Sequence, residues 1–244
     1  KNNEADACVS AGNTGALMAL SKIILKTIPG IDRPAICGSL PTKTSQFHML
    51  DLGANVECSA KHLYEFAIMG SALVQSLNLK TKPVIGLLNI GSEDFKGNET
   101  IKTAGQLIQK SNLNYAGFVE GDDMFNGKFD VIVTDGFAGN IALKSIEGVA
   151  KVISHFIKKE FTRNIFTKLS ALISLPVMKS FKNKVDPRKY NGASLLGLQG
   201  IVVKSHGGAD SLAFSQAVET AYYEVKNELL EKIDSLIQTE LSNE

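Results

Sequence analysis

The sequence predicts an α/β fold: an open, layered, largely parallel sheet with helices on both faces. It reads as a single domain over residues 1–244, with a protruding basic amphipathic helical hairpin at 161–190. Three observations carry this. Short apolar runs rich in Val, Ile and Leu recur, most of them continuous rather than alternating, as in parallel strands covered on both faces. Stretches with helical spacing lie between several of the runs. Polar, glycine-rich loops close five of them.

In chain order, strands are expected at residues 5–10, 35–40, 49–52, 84–88, 131–134 and 201–204. Helices are expected at 14–25, 60–79 and 98–110; in the second, Leu63, Phe66, Ala67 and Gly70 share one face. A long helix is expected at 138–161, with Ile141, Ile146, Val149, Ile153 and Phe156 at three- to five-residue steps. In the hairpin, Ile165, Phe166, Leu169, Leu172 and Ile173 form an apolar stripe on the first arm. Pro176 is expected to break the helix, with Val177, Met178, Phe181 and Val185 continuing the apolar surface on the second arm. An acidic helix ends the chain. There is no internal repeat and no low-complexity linker.

Composition bounds the function. At about 150 residues per domain, 244 residues make one large domain or two small ones. A hydrophobic fraction of 44% and a charged fraction of 21% suit a soluble chain with a proper core. Twenty-six basic against twenty-five acidic residues give +1, which argues against a nucleic-acid binder. The longest apolar stretch, 169–178, holds two serines and a proline, far short of the roughly 18 residues of a membrane span. Three cysteines, Cys8, Cys37 and Cys58, form no CxxC and point to a reducing, cytoplasmic setting. Cys8 reads as a small core residue inside a strand. The four histidines, His48, His62, His155 and His206, are scattered, so no metal cluster is visible. The first residues, Lys1-Asn2-Asn3-Glu4, run straight into a strand with no initiator methionine, so the natural protein is expected to be longer at this end.

The neutral total hides two biased segments. Residues 161–190 hold seven Lys/Arg against Asp186 alone, a net of +6. Residues 210–244 hold eight acids against Lys226 and Lys232, a net of −6, which reads as a solvated helix face. Lysines and arginines beside an apolar stripe suit a helix lying on anionic lipid, with Leu169, Leu172, Ile173, Lys179 and Lys182 as the contact. Ordinary core or dimer interface is the bland alternative, and docking of an acidic partner protein a third.

Five strand-to-helix junctions carry polar, glycine-rich loops: Ser10-Ala11-Gly12-Asn13-Thr14-Gly15, Asp51-Leu52-Gly53-Ala54-Asn55, Asn89-Ile90-Gly91-Ser92-Glu93-Asp94, Asp135-Gly136-Phe137-Ala138-Gly139-Asn140 and Lys204-Ser205-His206-Gly207-Gly208. In an open parallel sheet such junctions share the carboxyl edge, where ligands bind. Glycine allows close backbone approach, and the N–H groups at a helix start can cradle an anion. None is a Walker A or a GxGxxG, so a nucleotide is not indicated. Each residue has a structural rival: Asn13 and Thr14 as helix caps, Asp51 and Asp135 as turn-formers, Asn140 as a cap, Lys96 as a solvated loop lysine. An oxyanion site is the functional reading.

The phrases ACVSAGNTGALM (7–18), MLDLGANVE (49–57), FAIMGS (66–71), LLNIGSEDFKGNE (87–99), VTDGFAGNIALKSIEG (133–148) and YNGASLLGLQGIVVKSHGGAD (190–210) resemble, in order and spacing, the bacterial phosphate acyltransferase (PlsX) family. The resemblance covers essentially the whole chain. It implies reversible transfer of a fatty acyl group from acyl carrier protein to inorganic phosphate, giving acyl phosphate for phospholipid synthesis. It also implies a fold like phosphotransacetylases and isopropylmalate-type dehydrogenases, a homodimer, and peripheral membrane association, with the membrane glycerol-3-phosphate acyltransferase as a further partner. Family members begin with a further α/β stretch carrying a DAMGGD-like strand end, which this chain lacks. The alternatives are a phosphotransacetylase-like enzyme using acyl-coenzyme A and an inactive lipid-enzyme scaffold.

In such chemistry phosphate is itself the nucleophile, so no Ser-His-Asp or Cys-His pair is required. The task is to hold a dianion against a thioester carbonyl and to stabilise the tetrahedral oxyanion with preset donors. Asn13, Asn55 and Asn140 supply amides, Thr14 and Gly139 belong to the anion-cradling loops, Lys96 supplies a point charge, and His206 assists the leaving thiol or hydrogen-bonds phosphate. By the resemblance, Lys96 and Asn140 are the catalytic pair. No redox or metal cofactor is expected.

Overall fold

The computed structural model describes residues 4–184 and 186–241. Eight strands, β1 (Ala7–Ser10), β2 (Ala35–Pro41), β3 (Gln46–Leu50), β4 (Ile85–Leu88), β5 (Tyr115–Val119), β6 (Val131–Val133), β7 (Ala193–Leu196) and β8 (Ile201–Lys204), form one open sheet. Its order is β1-β8-β7-β2-β3-β6-β4-β5. Seven helices accompany it: α1 (Thr14–Leu25), α2 (Ala60–Ser76), α3 (Glu99–Lys110), α4 (Gly136–Thr162), α5 (Ile165–Lys184), α6 (Ser211–Lys226) and α7 (Leu229–Leu241). The sheet is mixed: among the described residues four neighbouring pairs are parallel and three, all involving β2 or β7, are antiparallel. Strands β5 and β7 escape a search for β-branched runs because their sequences, YAGFV and ASLL, are rich in small residues.

Helix starts follow capping chemistry. Asn13, Asn98 and Asp210 each accept the N–H three residues on, and Ser59 forms a reciprocal box with His62. The core is centred on α2, which buries Leu63 through Val74 between the sheet and its neighbours. Gly70 is where this helix comes closest to the sheet: a Cβ there would lie 2.5 Å from Val131 Cγ1. Each fully buried side chain in this layer, such as Phe66, Ile68 or Leu87, contributes on the order of 1.5–3 kcal/mol by burial.

Four expectations are corrected. The acidic tail is two helices, not one, because the chain turns at Asn227 and at Glu228, whose φ is +56°. Its second half, α7, is not merely a solvated face: Leu229, Ile233 and Ile237 are buried and join the core beside α2. Cys8 is exposed rather than a core residue, because β1 is the outermost strand of the sheet. Pro176 does not break its helix but sits inside α5. A proline removes one N–H and its single intrahelical bond, and here the turns on either side remain helical. The helical break lies earlier, between α4 and α5, where Asn164 and Thr167 cap one another: Thr167 N–H donates to Asn164 Oδ1 (2.9 Å) and Asn164 N–H to Thr167 Oγ1 (3.0 Å).

The chain divides into two compact units, one running to Asn140 and again from Arg188, the other over Ile141–Pro187. The second unit contains most of α4 and all of α5, and extends beyond the expected 161–190 hairpin. From Ile141 to Lys184 no residue is buried. Ile165, Phe166, Leu169, Leu172, Ile173 and Val177 are all exposed. Val185, expected on the same apolar surface, lies outside the described residues. Among the described residues no helix is long and apolar enough to cross a membrane.

Candidate functional site

Strand direction sorts the five glycine-rich loops into two groups. β1 and β8 are parallel, so the loops at 10–14 and 204–210 leave the sheet in one direction. β3, β6 and β4 are parallel, so the loops at 51–56, 135–140 and 89–96 leave together. Between the two sets stand three antiparallel pairings, β8 with β7, β7 with β2 and β2 with β3. An odd number of reversals makes the sets run in opposite directions. The expectation that all five junctions share one carboxyl edge is therefore corrected. It assumed every strand parallel, and the two strands that undo it, β2 and β7, return antiparallel.

In the larger group the loop after β3 is organised by Asp51, which has no exposed surface. Its Oδ1 accepts the N–H groups of Ile36, Gly53 and Ala54, and its Oδ2 those of Asn55, from the backbone at 2.6 Å and from Nδ2 at 3.0 Å. Burial pushes the carboxyl upward, opposed by these donors. Asp51 is thus a turn-former, as its bland reading held. Asn55, expected to donate to substrate, is corrected. Its second amide proton goes to the Pro34 carbonyl at 2.8 Å, so both protons are used and the residue is buried. It braces the Asp51 loop instead.

The loop after β6 packs against that brace. Gly136 N–H donates to the Asn55 carbonyl (2.8 Å), and Asp135 Oδ1 caps α4 through Ala138 N–H (2.7 Å). A Cβ at Gly139 would collide with the Asp51 carbonyl oxygen. Glycine at 139 is therefore required by helix-to-loop contact, and the residue is buried. Asn140, one residue on, is exposed, with its side chain beside Gly53, whose φ is +125°. In the loop after β4, Asn89 holds the turn by donating Nδ2–H to the Lys96 carbonyl (3.2 Å), while Lys96 N–H donates to the Glu93 carbonyl (3.0 Å). The Lys96 ammonium has no ion-pair partner among the described residues and lies 5.6 Å from the Phe95 ring centroid. This group offers an unpaired cation, an exposed amide and the start of α4, with Val56, Ile90, Phe95 and Phe137 exposed on the same three loops. Such a set can attract an anion and donate to a developing oxyanion.

The smaller group joins at Ser205, whose N–H donates to the Ser10 carbonyl (2.9 Å). Asn13 Oδ1 is engaged in capping α1 through Ala16 N–H (3.0 Å), and Thr14 is the first residue of that helix. His206 is exposed; its Nδ1 accepts Gly208 N–H (3.0 Å), so in the neutral ring Nε2 carries the proton and is the ring's donor. Sequence reasoning missed the residue that fixes this loop. Asn191 donates Nδ2–H to Ser205 Oγ (2.8 Å) and to the Ala213 carbonyl (2.7 Å), and its Oδ1 accepts His206 N–H (2.9 Å). A lone Asn before glycine signals only a turn, so nothing in the sequence pointed to this bond set. Among the described residues no group of three or more His, Cys, Asp or Glu is placed to hold a metal ion.

The architecture is that of phosphotransacetylase-like α/β proteins. The EutD phosphotransacetylase from Staphylococcus aureus superposes with a TM-score of 0.59 at 18% identity, covering 92% of this chain and 64% of that one. A phosphotransacetylase from Streptococcus pyogenes gives 0.58 at 18%, covering 93% and 64%. At such identity the likeness is one of fold, and the chain spans just under two thirds of those structures. The sequence is more specific. The fatty acid synthesis protein family model matches residues 1–232, and the chain belongs to that family. Relatives named phosphate acyltransferase include those of Methylococcus capsulatus, 58% identical over 96% of this chain and 69% of that protein, and Alkalilimnicola ehrlichii, 56% identical over 99% and 71%.

Proposed function

We propose that this protein transfers a fatty acyl group from acyl-acyl carrier protein to inorganic phosphate, reversibly, giving acyl phosphate for phospholipid synthesis. The observation that carries the reading is family membership over nearly the whole chain, with relatives named phosphate acyltransferase. A phosphate oxygen attacks the thioester carbonyl carbon and forms the new C–O bond. The carbonyl electrons collect on oxygen as a tetrahedral oxyanion; on collapse the C–S bond breaks and the thiolate departs with its electron pair, to be protonated by solvent. Thiols ionise near pH ~8.5, so this departure needs little acid assistance.

In this reading Lys96 and Asn140 are the catalytic residues, the first by charge and the second by its amide, at the reacting phosphate and oxyanion. Gly139 and Asn55 keep the loops around Asn140 in place, whereas Asn13, Thr14 and His206 belong to loops that leave the sheet in the opposite direction and take no part at this reacting centre. These steps need no metal or redox cofactor. The active form is a homodimer. The exposed stripe of Leu169, Leu172 and Ile173, with Lys179 and Lys182 on the same helix, meets anionic lipid, which suits a greasy product whose next user, a glycerol-3-phosphate acyltransferase, is membrane-bound.

The test is phosphate-dependent loss of thioester with acyl-acyl carrier protein and acyl-coenzyme A offered in parallel, acyl phosphate being trapped as product. Carrier-protein preference supports the reading. Preference for coenzyme A would make the protein a phosphotransacetylase-like enzyme. No acyl phosphate from either donor would leave a scaffold.

A further inference from the structure

A cleft of about 260 Å³ lies between α6 and strands β2, β3 and β7. Cys37, His48, Ser194 and Glu224 line its buried part, and Tyr190 and Tyr223 stand at its more exposed rim. The acyl-transfer reading uses none of these six side chains.

Glu224 is the anomaly. It is 1% exposed, and its hydrogen bond comes from the Ser194 hydroxyl alone. Among the described residues no lysine, arginine or histidine lies within ion-pair reach of it, although buried carboxylates are ordinarily matched by a cation. The other groups around the cleft do not fill that role. Cys37 is a thiol that burial keeps protonated. His48, with Nδ1 3.1 Å from Ser39 Oγ, is held neutral by burial, its pKa lowered to about 4. Glu219, exposed near the rim, already accepts from Gln216 Nε2 at 2.5 Å. Lys189 is exposed.

We propose that this cleft binds a small organic cation, an alkyl amine whose ammonium pairs with Glu224 and whose carbons lie against Tyr190 and Tyr223. A divalent metal ion is a poor occupant, because it seeks about six oxygen ligands and the buried part offers one carboxylate. An anion is poorer still beside Glu224 and Glu219. An alkyl ammonium needs one carboxylate and a hydroxyl acceptor for its head and apolar or aromatic surface for its carbons, and the lining residues supply all three. The site is separate from the proposed acyl transfer and does not rest on it.

The test is a titration of the full chain with n-butylamine, using n-butanol as the uncharged match of the same length, followed by amide chemical shifts at Ser194, Tyr223 and Glu224. It is run at about pH 8, where a carboxyl displaced as far as Glu224's is mostly ionised. Saturable binding of the amine, at least tenfold tighter than of the alcohol, is expected. Glu224→Gln should abolish that preference while leaving the fold intact. Tyr223→Ala, at an exposed position, should weaken the amine severalfold and serves if the Gln variant fails to fold. Absence of saturable amine binding, equal binding of the alcohol, or an amine affinity unchanged in both variants would each overturn the proposal.

Discussion

Lys96 and Asn140 differ from their neighbours in what they leave free. Asp51, Asn55 and Asp135 use their polar atoms to fix the loops, whereas Asn140 is exposed and Lys96 has no ion-pair partner among the described residues. Lys96→Ala and Asn140→Ala should therefore each lower turnover by on the order of 10²–10³ with a melting curve like that of the parent. Near-full turnover with a normal melt would remove the residue from the mechanism. Cys8 gives the opposite expectation. It is exposed on β1, and in the proposed reaction phosphate does the attacking, so Cys8→Ala should keep most activity. An acyl group found on Cys8 by mass spectrometry would show that the attack runs through the thiol instead.

At the scale of the element, what was legible in the sequence was what burial writes into it. β8 and α2 carry continuous or periodic apolar residues, and both lie close to where their patterns put them. What the pattern could not carry was direction. A buried strand reads the same in either sense, so β2 and β7 looked like members of a parallel set, and only their pairing shows the reversal that parts Asn13 and His206 from Lys96 and Asn140. Hydrogen bonds between distant segments were equally silent, as with Asn191 and the His206 loop. Pro176 shows a local rule set aside by its helix. In α5, Leu172 and Ile173 are 63% and 76% exposed, so changing both to Asp removes apolar surface without opening a core. The double variant should lose sedimentation with anionic vesicles and keep soluble turnover. Unfolding, or dissociation of the proposed dimer, would instead make the stripe an interface of the protein itself.

At the scale of the whole molecule, two buried groups set opposing pH dependences. Glu224 is raised by burial from 4.5 to about 7, so the folded state holds its proton where the unfolded chain has lost it. Its contribution is present below pH 4.5 and is lost as pH rises to about 7. His48 is lowered by burial from 6.5 to about 4, so its contribution is present above 6.5 and lost as pH falls toward 4. The two partly cancel in the parent protein. Glu224→Gln removes one of them, and its stability relative to the parent should rise by roughly 3 kcal/mol between acid and neutral pH. Denaturant melts across that range measure it; a constant difference would mean that Glu224 is not displaced. The proposed homodimer is tested by mass in solution at micromolar concentration, where a monomer would count against it.

The seating of Gly136 and Gly139 on the Asp51 loop bears on directed evolution of this scaffold. A Cβ at 136 would stand 2.7 Å from the Asn55 carbonyl oxygen, and one at 139 would strike that of Asp51, so a library randomised at either position should return glycine. Val56, Ile90, Phe95 and Phe137 belong to the same three loops, yet all four are well exposed. Diversity placed there changes the lining of the loops while the backbone that holds Asn140 stays fixed. A selection for altered acyl donors should accordingly enrich changes at these four positions and leave the two glycines untouched.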